Sequence, residues 1–295
     1  MNNQQVGLLS SIVAFLMWGL VLPSATRVLS YVESPLSVMS IRVFFAFFVV
    51  LLVQIFRNKL SVIKRLFNLR ILALQFISAA LIGINWFTFI YAVKVDQLNQ
   101  AALGYYIMPL LGITLGMVFF KERLSLLQVI AIALAVMGIL WSIFVAGSLP
   151  LISMSVALSF ALYGFVKRAI PLDAFSGLFL EILLMIVFVP LLYYIFNVSD
   201  MFKILPDSSA IYWAAASVGL FTVLPLFFSG IAYKTIDYSV YSVLFWSVPS
   251  MQFITSVFFW HEHFDANKLI TFIFIWMALC LYGYSIFKGK KAKAT

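Results

Sequence analysis

The 295-residue sequence predicts an all-α integral membrane protein whose ten transmembrane helices form two inverted five-helix repeats. Three observations carry that prediction. The first is composition: 64% of residues are hydrophobic and 10% charged, with a mean hydropathy of +1.11. Soluble domains carry about 25% charged residues. So little polar surface cannot cover one or two soluble domains, and lipid must do the covering. The second observation is a series of apolar runs of membrane-spanning length, and the third is a sparse internal repeat.

A bilayer core takes about 20 apolar residues in helical form. Ten runs qualify, at approximately 7–26, 37–56, 71–93, 98–120, 125–145, 150–167, 175–196, 210–233, 239–260 and 267–287. The connections between them are short. The opening MNNQQVG has no Lys or Arg and so lacks the basic start of a cleaved signal peptide, and the first run is expected to stay in place. Trp and Tyr recur near the ends of runs, where interfacial belts require them.

Orientation follows from the Lys and Arg positions. One side holds 14, namely Arg57, Lys59, Lys64, Arg65, Arg70, Lys121, Arg123, Lys167, Arg168, Lys234, Lys288, Lys290, Lys291 and Lys293. The other side holds 4, Arg27, Lys94, Lys203 and Lys268, and Arg42 within a run completes the total of 19. Both termini are therefore expected in the cytoplasm. The net charge of +9 reads as a topology signal rather than a nucleic-acid footprint.

The repeat is seen by setting AVKVDQLNQAALGYYIMPLLGITLGMVFFKE (92–122) on AYKTIDYSVYSVLFWSVPSMQFITSVFFWHE (232–262) without a gap. Ala92, Lys94, Pro109, Phe119 and Glu122 then meet Ala232, Lys234, Pro249, Phe259 and Glu262, with Tyr105 on Phe245 and Tyr106 on Trp246. Trp18-Gly19 resembles Tyr163-Gly164 near the start of each half. The expected units are 5–146, 149–288 and a basic cytoplasmic tail at 289–295. Five helices per unit is an odd number, so the second enters from the opposite face. Inverted repeats with helices interrupted near the midplane are the architecture of secondary transporters. Pro109 and Pro249 are expected to supply the interruptions, each freeing the carbonyl four residues earlier, those of Tyr105 and Phe245. A freed carbonyl at membrane depth must meet protein or a water-filled cavity, so Tyr105, Tyr106, Phe245 and Trp246 are expected to line the space between the halves.

Arg42, in SVMSIRVFFAFFVVLLV (37–53), and Glu181 are the ionisable residues clearly inside apolar runs. A charge at a helix centre costs about 2.5 kcal/mol or more and usually faces a cavity or a partner. Each lies about six residues into its run, hence about 9 Å deep from opposite faces, so a direct salt bridge between them is not expected. Arg42 either belongs to an outer vestibule or snorkels to the interface. Glu181, in an inner vestibule, is open to three roles: a neutral acid, a proton carrier or the partner of a cation. Asn85 and Trp86 in GINW, together with Trp18 and Tyr163, divide between cavity lining and packing. GITLG (112–116) permits close helix approach. Cys280, the one cysteine, reads as packing. His261 and His263 in HEH are too closely spaced for a metalloprotease helix. No catalytic or cofactor motif is present, so a non-enzyme without a cofactor or metal is expected.

The stretches GINWFTFIYAV (83–93), ALGYYIMPL (102–110), GSLPLISMSVALSFALYGFVKR (147–168), GLFLEILL (177–184) and TFIFIWMAL (271–279) resemble the RarD group of permeases. That group belongs to the EamA family of the drug/metabolite transporter superfamily. The resemblance implies ten helices in two five-helix halves and a permease of the bacterial inner membrane, in a group tied to chloramphenicol sensitivity. The expected activity is secondary transport, in the export direction, of a small organic metabolite or drug-like molecule. Protons are a candidate coupling ion, and the chain is a monomer or a homodimer. A channel, a receptor and an intramembrane enzyme are the alternatives. The group's Asn-Pro in span four is Met108-Pro109 here, and its Gly before the span-nine proline is Val248, which implies a more apolar pocket.

Overall fold

Helices account for every regular element in the computed structural model, which describes residues 2–21, 34–95, 97–147, 151–195, 209–260 and 266–291. Arg27, Lys203, His261, Glu262, His263 and Lys293 lie outside the described residues, as does the side chain of Lys268. The helices are α1 (Asn3–Leu16), α2 (Pro35–Phe56), α3 (Leu69–Lys94), α4 (Leu98–Phe119), α5 (Leu126–Ala146), α6 (Leu151–Ala169), α7 (Ala174–Ile195), α8 (Ser209–Thr235), α9 (Tyr238–Phe245), α10 (Ser247–Trp260) and α11 (Ala266–Lys291). A π-helical turn, Met17–Val21, continues α1, and a 3-10 segment, Leu60–Phe67, joins α2 to α3.

Local chemistry explains several ends. Asn2 with Gln5, and Ser125 with Gln128, form capping boxes at the starts of α1 and α5. Pro35 opens α2, where its missing N–H costs nothing. Gly147, at φ 72°, closes α5 in the left-handed conformation that glycine adopts freely.

Nine helices among the described residues are long and apolar enough to cross a membrane. The span expected at 239–260 is present in two pieces, α9 of 8 residues and α10 of 14. Pro249 cannot donate to the Phe245 carbonyl, and the Trp246 N–H turns back to the Val243 carbonyl at 3.1 Å, so the helix ends at Phe245. Its equivalent behaves differently: Pro109 sits within the uninterrupted α4. Pro190 in α7 and Pro225 in α8 are also accommodated inside helices.

α5 packs on α11, α2 on α7 and α8, α1 on α8, α3 on α6 and α7, and α4 on α6 and α9. The polarity is inside-out. Phe44, Phe48, Leu52 and Phe56, one stripe of α2 at a spacing of four, are exposed, whereas Gln54, Gln75, Asn85 and Glu181 are buried. Cys280, expected to pack, is instead exposed on α11.

The glycines of GITLG bring α4 against α9. A Cβ on Gly112 would collide with Ser242, and one on Gly116 with Glu122. Gly112→Val is therefore expected to lower stability by about 1–3 kcal/mol through overpacking. Gly83→Ala, whose added carbon would lie 3.7 Å from Met185, should be tolerated. Thermal unfolding in detergent compares the two, and equal melting temperatures would show that the close approach is dispensable.

Candidate functional site

Arg42 does not reach the surface. It is 3% exposed, its guanidinium lies 4.5 Å from the centre of the Trp86 ring, and Nε donates to Thr222 Oγ1 at 3.3 Å. Thr222 in turn donates to the Val218 carbonyl at 2.7 Å, which turns its lone pairs toward Arg42. The snorkelling alternative is thus replaced by a buried cation held between α3 and α8. A desolvated cation over an indole contributes about 2 kcal/mol, enough to offset much of its burial.

Glu181 has a different neighbourhood. Oε2 accepts from Ser78 Oγ at 2.7 Å and from Lys167 Nζ at 2.7 Å, and Oε1 accepts from Tyr163 Oη at 3.2 Å. Lys167 corrects the sequence reading, which put it at the last position of the sixth run among the cytoplasmic-side charges and counted Arg42 and Glu181 as the internal ones. It lies near the end of α6, is 4% exposed, and forms a buried ion pair with Glu181. Arg42 and Glu181 are kept apart as expected. Their α3 partners, Trp86 and Ser78, are eight positions apart, about 12 Å along a helix.

Between these charges stands an aromatic cluster. Phe160 of α6 contacts Trp18 at 5.4 Å, Phe245 at 5.4 Å, Tyr163 at 5.8 Å and Tyr105 at 6.3 Å between ring centres. Tyr105 Oη donates to Asn85 Oδ1 at 3.3 Å, and Asn85 Nδ2 donates to the Val156 carbonyl at 3.1 Å and Ser159 Oγ at 3.2 Å. The interrupted backbones converge here too. Gln252 Nε2 of α10 donates to the Trp18 carbonyl in the π-helical turn at 3.1 Å, and such turns recur at functional sites.

Of the expected residues, Trp18, Asn85, Tyr105, Tyr163 and Phe245 share this cluster, with Arg42, Trp86 and Glu181 at its margins. Tyr106 and Trp246 do not join it. Trp246 Nε1 donates to the Tyr106 carbonyl at 3.0 Å, and Tyr106 packs on Phe272 at 5.7 Å in a second cluster against α5 and α11. Successive helical residues point about 100° apart, so neighbours such as Tyr105 and Tyr106 cannot both face one space. Phe160, Lys167 and Ser78 are the site residues the sequence reading missed. Phe160, Tyr163 and Lys167 follow one another at spacings of three and four on α6, a signal available in the sequence.

Where α6 meets α7 the polar lining reaches the surface. Arg57 Nη2 pairs with Asp173 Oδ1 at 3.1 Å, and Gln54 Nε2 donates to Ser176 Oγ at 3.3 Å. Partial burial alone would raise the Asp173 carboxyl, but hydrogen bonds from Ser176 and the Arg57 guanidinium outweigh it and bring it down to about 2.

Two predictions follow from these charges. Lys167→Met leaves the Glu181 carboxylate buried without its cation and should cost about 3–5 kcal/mol. Adding Glu181→Gln should recover more than half of that in thermal unfolding, and strictly additive losses would show that the pair is uncoupled. Asp173, depressed in the folded state, contributes stability above its unfolded value of about 3.9 that is lost as pH falls toward 2. Being half-exposed, the pair contributes at most about 1 kcal/mol. The melting difference between wild type and Asp173→Asn should therefore hold above about pH 4 and shrink below it.

Comparison with known proteins agrees with this architecture. The model of the EamA-like transporter family matches residues 5–144. The uncharacterized transporter YojE of Bacillus subtilis is 33% identical over 97% of this chain and 96% of its own length. Protein RarD of Salmonella typhi is 33% identical over 94% of each. A solved crystal structure superposes with a TM-score of 0.71 at 18% identity, covering 95% of this chain and 96% of the other, a likeness of fold alone. The chain is a multi-pass membrane protein of the EamA-like transporter family, of the RarD type.

Proposed function

We propose that this protein is a secondary transporter that moves a small organic molecule across the bacterial inner membrane by alternating access. The substrate site is the aromatic cluster around Phe160, Trp18, Tyr105 and Phe245, between halves formed by residues 5–146 and 149–288. Both termini face the cytoplasm, and export is the direction expected of the group. The observation that carries this reading is the meeting of two interrupted helices, the π-helical turn after α1 and the α9–α10 break, at a buried cluster of rings and hydrogen-bonding groups. Irregular backbone at membrane depth is tolerated where it lines a cavity or is satisfied by protein, and transporters place their sites there. The packing supports the two halves as well. α1 lies on α8 as α6 lies on α3, and α2–α7, α4–α9 and α5–α11 pack as pairs of equivalents.

Glu181 is the coupling group in this reading. Its three donors leave a carboxyl that can change partners when it takes a proton. Lys167 is the charge it would release.

Counterflow in proteoliposomes tests the central claim. A carrier accelerates entry of labelled solute when unlabelled solute is inside, whereas a channel gives no such acceleration. Glu181→Gln, which keeps the shape and an acceptor for Lys167, should fold and insert but lose the pH dependence of exchange. Wild-type rates with an unchanged pH profile would make Glu181 structural. For orientation, a cysteine at position 64 in a Cys280→Ala background should resist an impermeant reagent in intact cells, and labelling from outside would reverse the topology.

A further inference from the structure

Gln75 of α3 is fully buried, and neither atom of its amide has a hydrogen-bond partner among the described residues. An amide in that condition is costly in a dry interior, and it does not sit in an apolar setting. Gly177 of α7 presents only hydrogen to it. The point a Cβ would occupy on Gly177 lies 3.6 Å from Gln75 Nε2 and 3.8 Å from Lys167 Nζ. The amide nitrogen and the ammonium thus flank one spot against the bare backbone of α7.

Glu181 does not answer Gln75. Its two oxygens already receive Ser78, Tyr163 and Lys167. Lys167 Nζ carries three N–H bonds, and its recorded hydrogen bond to Glu181 uses one. Gln75 Nε2 and Lys167 Nζ bring two unmatched N–H bonds each. Against them stand the two lone pairs of Gln75 Oε1 and about one remaining on Glu181, so donors exceed acceptors. The surrounding charges point the same way: beside the Lys167–Glu181 and Arg57–Asp173 pairs stands Lys234, whose Nζ donates to the Ile170 and Leu172 carbonyls, an excess of one positive charge. Unmatched N–H donors with one surplus cation suit a flat, acceptor-only monoanion.

We propose that Gln75, Lys167 and Gly177 form a binding subsite for the carboxylate of a small organic acid, which is the anionic end of the transported molecule. One carboxylate oxygen accepts from Gln75 Nε2 and the other from Lys167 Nζ. The Tyr163 ring, 5.7 Å from Nζ, lies beside the path toward the aromatic cluster. This assignment rests on the transporter reading, because the buried subsite is loaded only when the helices part.

The test uses the full chain in lipid nanodiscs and three acids, benzoate, phenylacetate and hexanoate, each beside its neutral primary amide. At least one acid should raise the Tm by several degrees while its amide does not. Gln75→Leu removes an unpartnered amide, and Gly177→Ala adds a methyl at ordinary contact distances and improves helix propensity. Both should unfold at or above the wild-type temperature without ligand, and both should bind the acid at least tenfold more weakly. Amides acting as well as acids, no shift with any acid, or shifts that survive both substitutions would overturn the proposal. So would a lower unliganded Tm for Gln75→Leu, which would mean that the amide is bonded within the folded protein. Counterflow with the same solutes and a set of neutral and cationic ones separates the two readings. Exchange of neutral or cationic solutes without carboxylates removes the subsite and keeps the transporter, whereas no exchange with any solute overturns both.

Discussion

A carboxylate in hydrocarbon has no water to turn to, and the internal structure is organised around meeting that demand. Glu181 sits on α7 and takes Ser78 from α3 and both Tyr163 and Lys167 from α6. Three helices are thereby held in register by one side chain. Glu122, just after the end of α4 and with its side chain 6% exposed, does the reciprocal work. It accepts from the backbone N–H groups of Tyr238 and Ser239 at 2.7 and 2.8 Å, and from Arg168 at 3.2 Å. One carboxylate lies in the first part of the chain and grips the start of α9. The other lies in the second part and grips α3. Hydrogen bonds to charged groups contribute about 1.5–3 kcal/mol each, so these two clamps hold the bundle where apolar packing against lipid offers little preference.

The same rule governs the broken helices. The α9–α10 break and the π-helical turn free backbone carbonyls that side chains then satisfy. Gln252 donates to the Trp18 carbonyl in the π-helical turn and Ser250 to that of Trp246 at the break, while the Trp246 indole reaches the Tyr106 carbonyl of the continuous α4. A backbone held by side-chain bonds can exchange partners without unwinding a whole helix. The interruptions border the aromatic cluster.

Burial of polar groups separates the working interior from the surface. The exposed stripe of α2 is phenylalanine and leucine, while its opposite face carries Arg42 toward Trp86 and Thr222. Arg42 and Glu181 occupy different heights with different partners.

The all-helical membrane class, most of the spans and the close approach at Gly112 were legible in the sequence, because each depends on local rules. Length and apolarity set a span, proline removes a donor, and glycine removes a side chain. Pro249 broke its helix as those rules require, while Pro109 did not, because tertiary packing holds α4 continuous. Lys167 shows the other limit. At the end of an apolar run it reads as one of the cytoplasmic-side charges, and only the arrival of Glu181 on the next helix makes it a buried partner. Gln75 is uncharged, and its sequence neighbours do not mark the unpaired amide that helix packing sets beside Gly177. The pairs Tyr105–Phe245 and Tyr106–Trp246 align in the repeat, yet the 100° step between neighbours sends one pair to the centre and the other toward α5 and α11. Composition and periodicity report which face of a helix avoids water. Partner identity depends on contacts such as Ser78 to Glu181, which span 103 positions, and these are decided only when the helices pack.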